Sequence, residues 1–211
     1  MPKSLTHIET KPPKIINNLM IFIHGYGSSG HDLITLSHHF QRHLNNCHFI
    51  SPHAPYKISS MENAYFWFPI DTFDENHLQE GVNQTIPILD KFIKLIIAKY
   101  NIQYRQIILC GFSQGTLLAI HYGLTLKTQL KAIIGFSGGA LPSLKHQINN
   151  NTPICLIHGQ DDQVLPCLYS EKTAKILTEQ QHPHNIKIIP GLEHSINNQG
   201  LEYAIKFIQQ L

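Results

Sequence analysis

The pentad Gly111-Phe112-Ser113-Gln114-Gly115 constrains this chain through what stands on each side of it. Before it runs Arg105-Gln106-Ile107-Ile108-Leu109-Cys110, a short apolar stretch of buried-strand character. After it runs Thr116-Leu117-Leu118-Ala119-Ile120-His121-Tyr122, whose Leu, Ala and Ile suit a helix. A G-x-S-x-G motif between a strand and a helix is the setting of a sharp turn that lifts a serine hydroxyl clear of a sheet edge. The two glycines let helix and strand approach closely, and the serine is held in a strained backbone geometry. The plainer reading of the same residues is a Gly-rich β–α turn with no chemistry.

The rest of the chain repeats this alternation. Candidate strands are Leu19–His24, Cys47–Ser51, Gln106–Cys110, Ala132–Phe136, Pro153–His158 and Ile186–Ile189. Candidate helices are Asp32–Leu44, Leu78–Tyr100, Gln114–Leu126, Pro166–Gln181 and Asn198–Gln210. Short strands that are apolar throughout, separated by amphipathic helices, predict an α/β architecture with a mostly parallel sheet covered on both faces. Functional loops then lie at the carboxyl ends of the strands. Pro87 falls inside the Leu78–Tyr100 pattern, where it either kinks the helix or marks its true start. The one long irregular stretch runs from Pro52 to about Asn76, and a loop of that length usually has a task. No repeat or linker divides the chain, so residues 1–211 read as one domain, too short for a large lid domain.

Composition removes several classes of function. The 16 Lys+Arg nearly balance 14 Asp+Glu and form no tight basic run, so nucleic acid binding has no electrostatic support. The four cysteines, Cys47, Cys110, Cys155 and Cys167, show no C-x-x-C spacing; Cys110 and Cys155 fall in strand-like runs, where a free thiol packs as a small hydrophobe. Met1 to Asn18 contains no apolar signal-like core, and no stretch is long and apolar enough to span a membrane. The expectation is a reduced, cytoplasmic protein, a monomer or small homo-oligomer. Fifteen histidines invite a metal reading, and His39 and His43 are four apart on one candidate helix beside His38. No Glu follows the first of them as in H-E-x-x-H, so a solvated helix face is favoured and no metal is expected.

Serine alone is a weak nucleophile near neutral pH; it needs a base, and the base needs an orienting group. Both are available just past candidate strands. His158-Gly159-Gln160-Asp161-Asp162 follows Ile154–Ile157, and Pro190-Gly191-Leu192-Glu193-His194 follows Ile186–Ile189. Ser113, Asp162 and His194 in that chain order match α/β-hydrolases rather than the chymotrypsin or subtilisin arrangements. Asp161 and Asp162 are equally suited to capping the helix near Pro166, and spacing alone does not separate them. His158 is the poorer base, because it stands before the acid. A developing oxyanion needs donors. One is the backbone N–H of Gln114; the other comes from His24-Gly25-Tyr26-Gly27-Ser28-Ser29-Gly30, which holds no phosphate-loop pattern and is read as an oxyanion loop with Tyr26 as donor and His24 steadying it.

With these residues on the page, the chain resembles the phospholipase/carboxylesterase family of α/β-hydrolases, which includes the acyl-protein thioesterases. The matching stretches are Ile21–Leu33, Ala64–Ile70, Ile108–Leu124, Ile133–Leu141, Leu156–Pro166 and Gly191–Ile196. The resemblance implies a serine hydrolase of carboxylic esters or thioesters, without cofactor, acting on a small-molecule or lipid acyl ester or an acylated protein. It selects Asp162 over Asp161 as the acid. It also places Trp67-Phe68 near the acyl pocket, where the residues alone say only that an aromatic run packs the loop down. Two departures are Thr116, where many relatives carry glycine, and Gln163, where thioesterase members often carry proline. The first is expected to tune packing rather than chemistry; the second weighs against the protein-deacylating branch. The rival classes are a peptidase on the same fold and a non-catalytic binding protein.

Overall fold

A computed structural model describes residues 5–72 and 74–211. Its elements in chain order are β1 (His7–Glu9), β2 (Asn18–Ile23), α1 (Gly30–Ile34), α2 (Ser37–Gln41), β3 (Cys47–Pro52), β4 (Tyr56–Lys57), β5 (Tyr65–Phe66), α3 (Glu75–Tyr100), β6 (Ile107–Phe112), α4 (Gln114–Thr125), β7 (Ala132–Phe136), β8 (Ile154–Gly159), α5 (Leu168–Glu179), β9 (His184–Ile189) and α6 (Asn198–Gln209). Seven strands form one sheet in the order β1-β3-β2-β6-β7-β8-β9. Only β1 runs antiparallel to its neighbour; every other pairing is parallel.

The all-apolar strands are explained by cover on both faces. Leu19, Ile21 and Ile23 of β2, with Ile107 and Leu109 of β6, face a core completed by α3, α4 and α5. Met20 and Phe22, with Ile108 and Cys110, face the opposite core, completed by α1, α2 and α6. Successive side chains of a strand point to opposite faces, so a strand buried on both sides has no polar position to show. Among the described residues no helix is long and apolar enough to cross a membrane.

Three expectations need correction. The single helix over Asp32–Leu44 is two short helices. Between them Thr35 donates its hydroxyl to the Asp32 carbonyl at 2.6 Å, and Leu36 N–H bonds to Leu33 O at 3.1 Å, tightening the chain into three-residue turns. His38 and His39 lie on α2, His43 lies in the turn beyond it, and all three are exposed. Second, Pro87 does not mark the start of α3: the helix begins at Glu75, where the Asp74 side chain accepts from Asn76 and His77 N–H, and runs through the proline. Third, the Pro52–Asn76 stretch is not wholly irregular. It contains the hairpin β4–β5, whose Tyr65 exchanges backbone hydrogen bonds with Gly27 and Ser28 of the loop after β2. Strand β1 was also not foreseen; three residues leave little periodicity to read.

Candidate active site

The turn at Ser113 sits between the end of β6 and the start of α4. Its φ of 53° and ψ of −116° put a non-glycine residue in a conformation that costs about 1–3 kcal/mol. Neighbouring groups hold it there. Ser113 N–H donates to Phe136 O at 2.9 Å, and its carbonyl accepts from Thr116 N–H at 2.9 Å. The two glycines are required by space. A Cβ on Gly111 would lie 2.5 Å from Gly115 O, and one on Gly115 would lie 1.8 Å from Ile23 O. Thr116 is buried, donates to Phe136 O at 2.7 Å and packs against Gly135 and Gly138.

The loop after β2 lies against this turn: a Cβ on Gly25 would stand 3.2 Å from Ser113 Cβ. His24 anchors the loop. Gly25 O can only accept and Ala54 N–H can only donate, so Nδ1 carries the proton, donating to Gly25 O at 2.7 Å, and Nε2 accepts from Ala54 at 3.0 Å. Burial drives its pKa down to about 4, so His24 is neutral around pH 7 and keeps this tautomer.

The loops after β8 and β9 bring the other two residues together. His194 Nδ1 lies 2.6 Å from Asp162 Oδ2. The other oxygen of Asp162 accepts from Val164 and Leu165 N–H at 2.9 and 2.8 Å. Burial works against ionising this carboxyl, but the Leu165 N–H and the His194 imidazole outweigh it and hold its pKa below the ordinary range. Neither aspartate caps α5, whose N-cap is Cys167. Asp161 is exposed, and its backbone N–H holds Leu192 O at 3.0 Å, joining the acid loop to the histidine loop. Phe112 packs its ring 4.9 Å from that of His194.

Trp67 and Phe68 part company. Phe68 lines a cavity; its ring packs so closely on Gly81 of α3 that a Cβ there would lie 2.3 Å from it. Trp67 is fully buried behind the wall and is not among the cavity-lining residues. Its indole N–H donates to His24 O at 2.9 Å, its backbone N–H to Gln114 Oε1 at 3.0 Å, and its carbonyl accepts from Thr85 at 3.1 Å. Gln114 in turn donates to Phe68 O at 2.8 Å. Both lie where the chain bends after β5, and of the two only Phe68 lines the cavity.

The cavity measures about 450 Å³ and is reached by Ser113, His194, Tyr26 and Gln114. Its other walls are mainly apolar, with Leu78, Leu117, Leu141, Val164 and Tyr169. Sequence reasoning did not single these out. Leu141 was the most accessible of them, because it follows the carboxyl end of β7, where such a sheet places its functional loops.

Comparison with known proteins agrees with this geometry. The phospholipase/carboxylesterase family model matches residues 7–211. Acyl-protein thioesterase 1 of Eremothecium gossypii is 32% identical over 204 residues, covering 90% of this chain and 86% of that protein. The protein of the same name from Saccharomyces cerevisiae is 29% identical, with 90% and 91% covered. Among solved structures, esterase PE8 superposes with a TM-score of 0.90 at 31% identity, covering 98% of each chain. The chain belongs to the phospholipase/carboxylesterase family and is an α/β-hydrolase that cleaves carboxylic esters or thioesters.

Proposed function

We propose that Ser113 is the nucleophile, His194 its base and Asp162 the orienting acid, and that the substrate is a single-chain acyl ester or thioester. Ser113 Oγ attacks the acyl carbonyl while His194 takes its proton. Asp162 holds the imidazole by the Nδ1 bond and stabilises its charge. The backbone N–H groups of Tyr26 and Gln114 receive the oxyanion, the latter helped by the positive end of α4. The tetrahedral intermediate collapses, His194 gives its proton to the leaving alcohol or thiol, and an acyl-enzyme remains. Water, deprotonated by His194, releases the acid and restores the serine.

The observation that carries this reading is the 2.6 Å bond between His194 and buried Asp162 beside a cavity that also holds Ser113 on its strained turn. The apolar walls favour a hydrocarbon chain, since each sheltered methylene contributes about 0.8 kcal/mol. The relatives named acyl-protein thioesterase extend the candidate substrates to acylated proteins. The test is turnover of acetyl, butyryl and octanoyl esters, and of the matching thioesters, by wild type and Ser113→Ala. The variant should lose on the order of 10⁴- to 10⁶-fold in kcat while keeping its melting temperature. Activity of the pure variant within tenfold of wild type would sink the assignment.

A further inference from the structure

We propose that His158, a histidine outside the reacting set, is a positioning residue for Asp162: it fixes the oxygen that the acid offers to His194. The proposal rests on the reading of Asp162 as the acid of the reaction. His158 is the penultimate residue of β8 and is fully buried. Its Nε2 lies 2.8 Å from Leu165 O and 3.1 Å from Asp162 Oδ2. A carbonyl and an ionised carboxylate only accept, so Nε2 carries the proton and donates to both. Asp162 Oδ2 therefore takes two imidazole donors, one from the histidine that borders the cavity and one from a histidine sealed beneath it.

The second donor has its own anchor. With the ring proton on Nε2, His158 Nδ1 accepts from the Ser170 hydroxyl of α5 at 2.7 Å, and the same oxygen lies 2.5 Å from Gly138 O. Gly138 itself packs on the nucleophile turn: a Cβ there would stand 2.8 Å from Ser113 O. A buried path thus runs from the acid through His158 and Ser170 to the backbone beside the nucleophile. Without it Asp162 is held firmly along one edge only, by Val164 and Leu165 N–H on Oδ1, and Oδ2 is free to pivot away from His194. The ionisable groups bonded to Asp162 are His158 from β8 and His194 from the loop after β9. From α5 the group in this chain of bonds is the neutral Ser170 hydroxyl, and from β6 the ring beside His194 is that of Phe112.

The experiment compares kcat and KM of wild type, His158→Leu, His158→Gln and Asp162→Asn on one ester, with melting curves beside them. His158→Leu should lower kcat about 10- to 100-fold, the range seen when a group orienting a working histidine is lost in metal sites. KM should stay within about twofold, because His158 touches no substrate. His158→Gln, whose amide nitrogen can stand in for Nε2, should restore kcat most of the way. Wild-type kcat in His158→Leu, or equal losses in the Leu and Gln variants, would overturn the proposal. Near-normal turnover by Asp162→Asn would instead overturn the reading of the acid, and this inference with it. Where His158→Leu does not fold, Ser170→Ala decides. A several-fold loss of kcat at unchanged KM supports the path, and wild-type kcat breaks it.

Discussion

Two carboxylates in this molecule each gather a pair of histidines, and they have different fates. Asp162 stands with His158 and His194; Glu9, on the edge strand β1, stands with His7 and His48. Glu9 also accepts from Lys99 Nζ at 2.9 Å and from the Tyr100 hydroxyl at 2.6 Å, both on α3. Its charge is matched by a fixed cation, and it lines no part of the cavity that holds Ser113. Asp162 has no Lys or Arg partner among its hydrogen bonds and ion pairs, and one of its histidines opens onto that cavity. A carboxylate–histidine pair is therefore not a reactive arrangement in itself. It becomes one when the imidazole keeps a free nitrogen toward a nucleophile and the acid's charge is left to stabilise the proton that arrives. Glu9 instead clasps the first strand to the longest helix.

The largest effect should separate these two acids. Asp162→Asn should cut kcat roughly 10⁴-fold, as loss of the orienting acid does in a well-studied serine protease. Glu9→Gln should leave kcat within about twofold, in line with the small effects of changes remote from the chemistry. Steady-state rates on a p-nitrophenyl ester settle the pair; equal losses would erase the distinction.

The next contrast is between neighbours. Phe68→Ala should lower the preference for octanoyl over acetyl esters roughly ten- to fiftyfold, the equivalent of two or three methylenes losing shelter. Trp67→Ala should reduce turnover on all chain lengths alike and cost about 3–5 kcal/mol of stability, because its indole joins His24 to the segment that Gln114 holds. A chain-length panel with melting curves reads both. Selective loss in the Trp67 variant and uniform loss in the Phe68 variant would reverse the assignment.

These neighbours also mark how far the sequence could be read. The strand–turn–helix at Ser113 was legible because its motif and its flanking periodicities are local. The order of Ser113, Asp162 and His194 was legible because a parallel sheet gathers strand ends whatever the sequence distance between them. Which of Trp67 and Phe68 faces the cavity was not, since it depends on the hairpin β4–β5 and on Gly81 of α3, 13 residues beyond Phe68 in the chain, against which the Phe68 ring packs. The choice between Asp161 and Asp162 was open on spacing alone. In the structure Val164 and Leu165 N–H grip the Asp162 carboxylate, and Asp161 is exposed. The grouping of Glu9 with Lys99 and Tyr100 spans some 90 residues and leaves no local signal.

A smaller effect tests the clasp through pH. Burial works against ionising Glu9, yet its bonds to Tyr100, Lys99 and His48 outweigh that and lower its pKa from 4.5 to about 2. A carboxyl depressed in the folded state contributes stability above its unfolded pKa, and that contribution is lost as pH falls from 4.5 through about 2. Allowing for solvent screening, Glu9 should contribute about 1–2 kcal/mol at neutral pH. Wild type and Glu9→Gln should differ by that amount in denaturant midpoints at pH 7 and converge toward pH 2. A gap that persists in acid would show that the ionised pair is not its source. Smallest of all, Asp161→Asn should change stability by under about 0.5 kcal/mol and turnover by less than twofold, as expected for an exposed side chain away from the cavity.

The account stands most directly on where the acyl-enzyme forms. Treating the protein with a fluorophosphonate, which captures a serine activated by a neighbouring base, and mapping the adduct by peptide mass spectrometry locates the nucleophile. The account predicts one phosphonyl group, on the peptide bearing Ser113, with loss of ester turnover in proportion to labelling. It also predicts no adduct in Ser113→Ala and strongly slowed labelling in Asp162→Asn, while Glu9→Gln labels like wild type. Labelling at another residue, or full labelling of Ser113→Ala, would contradict it.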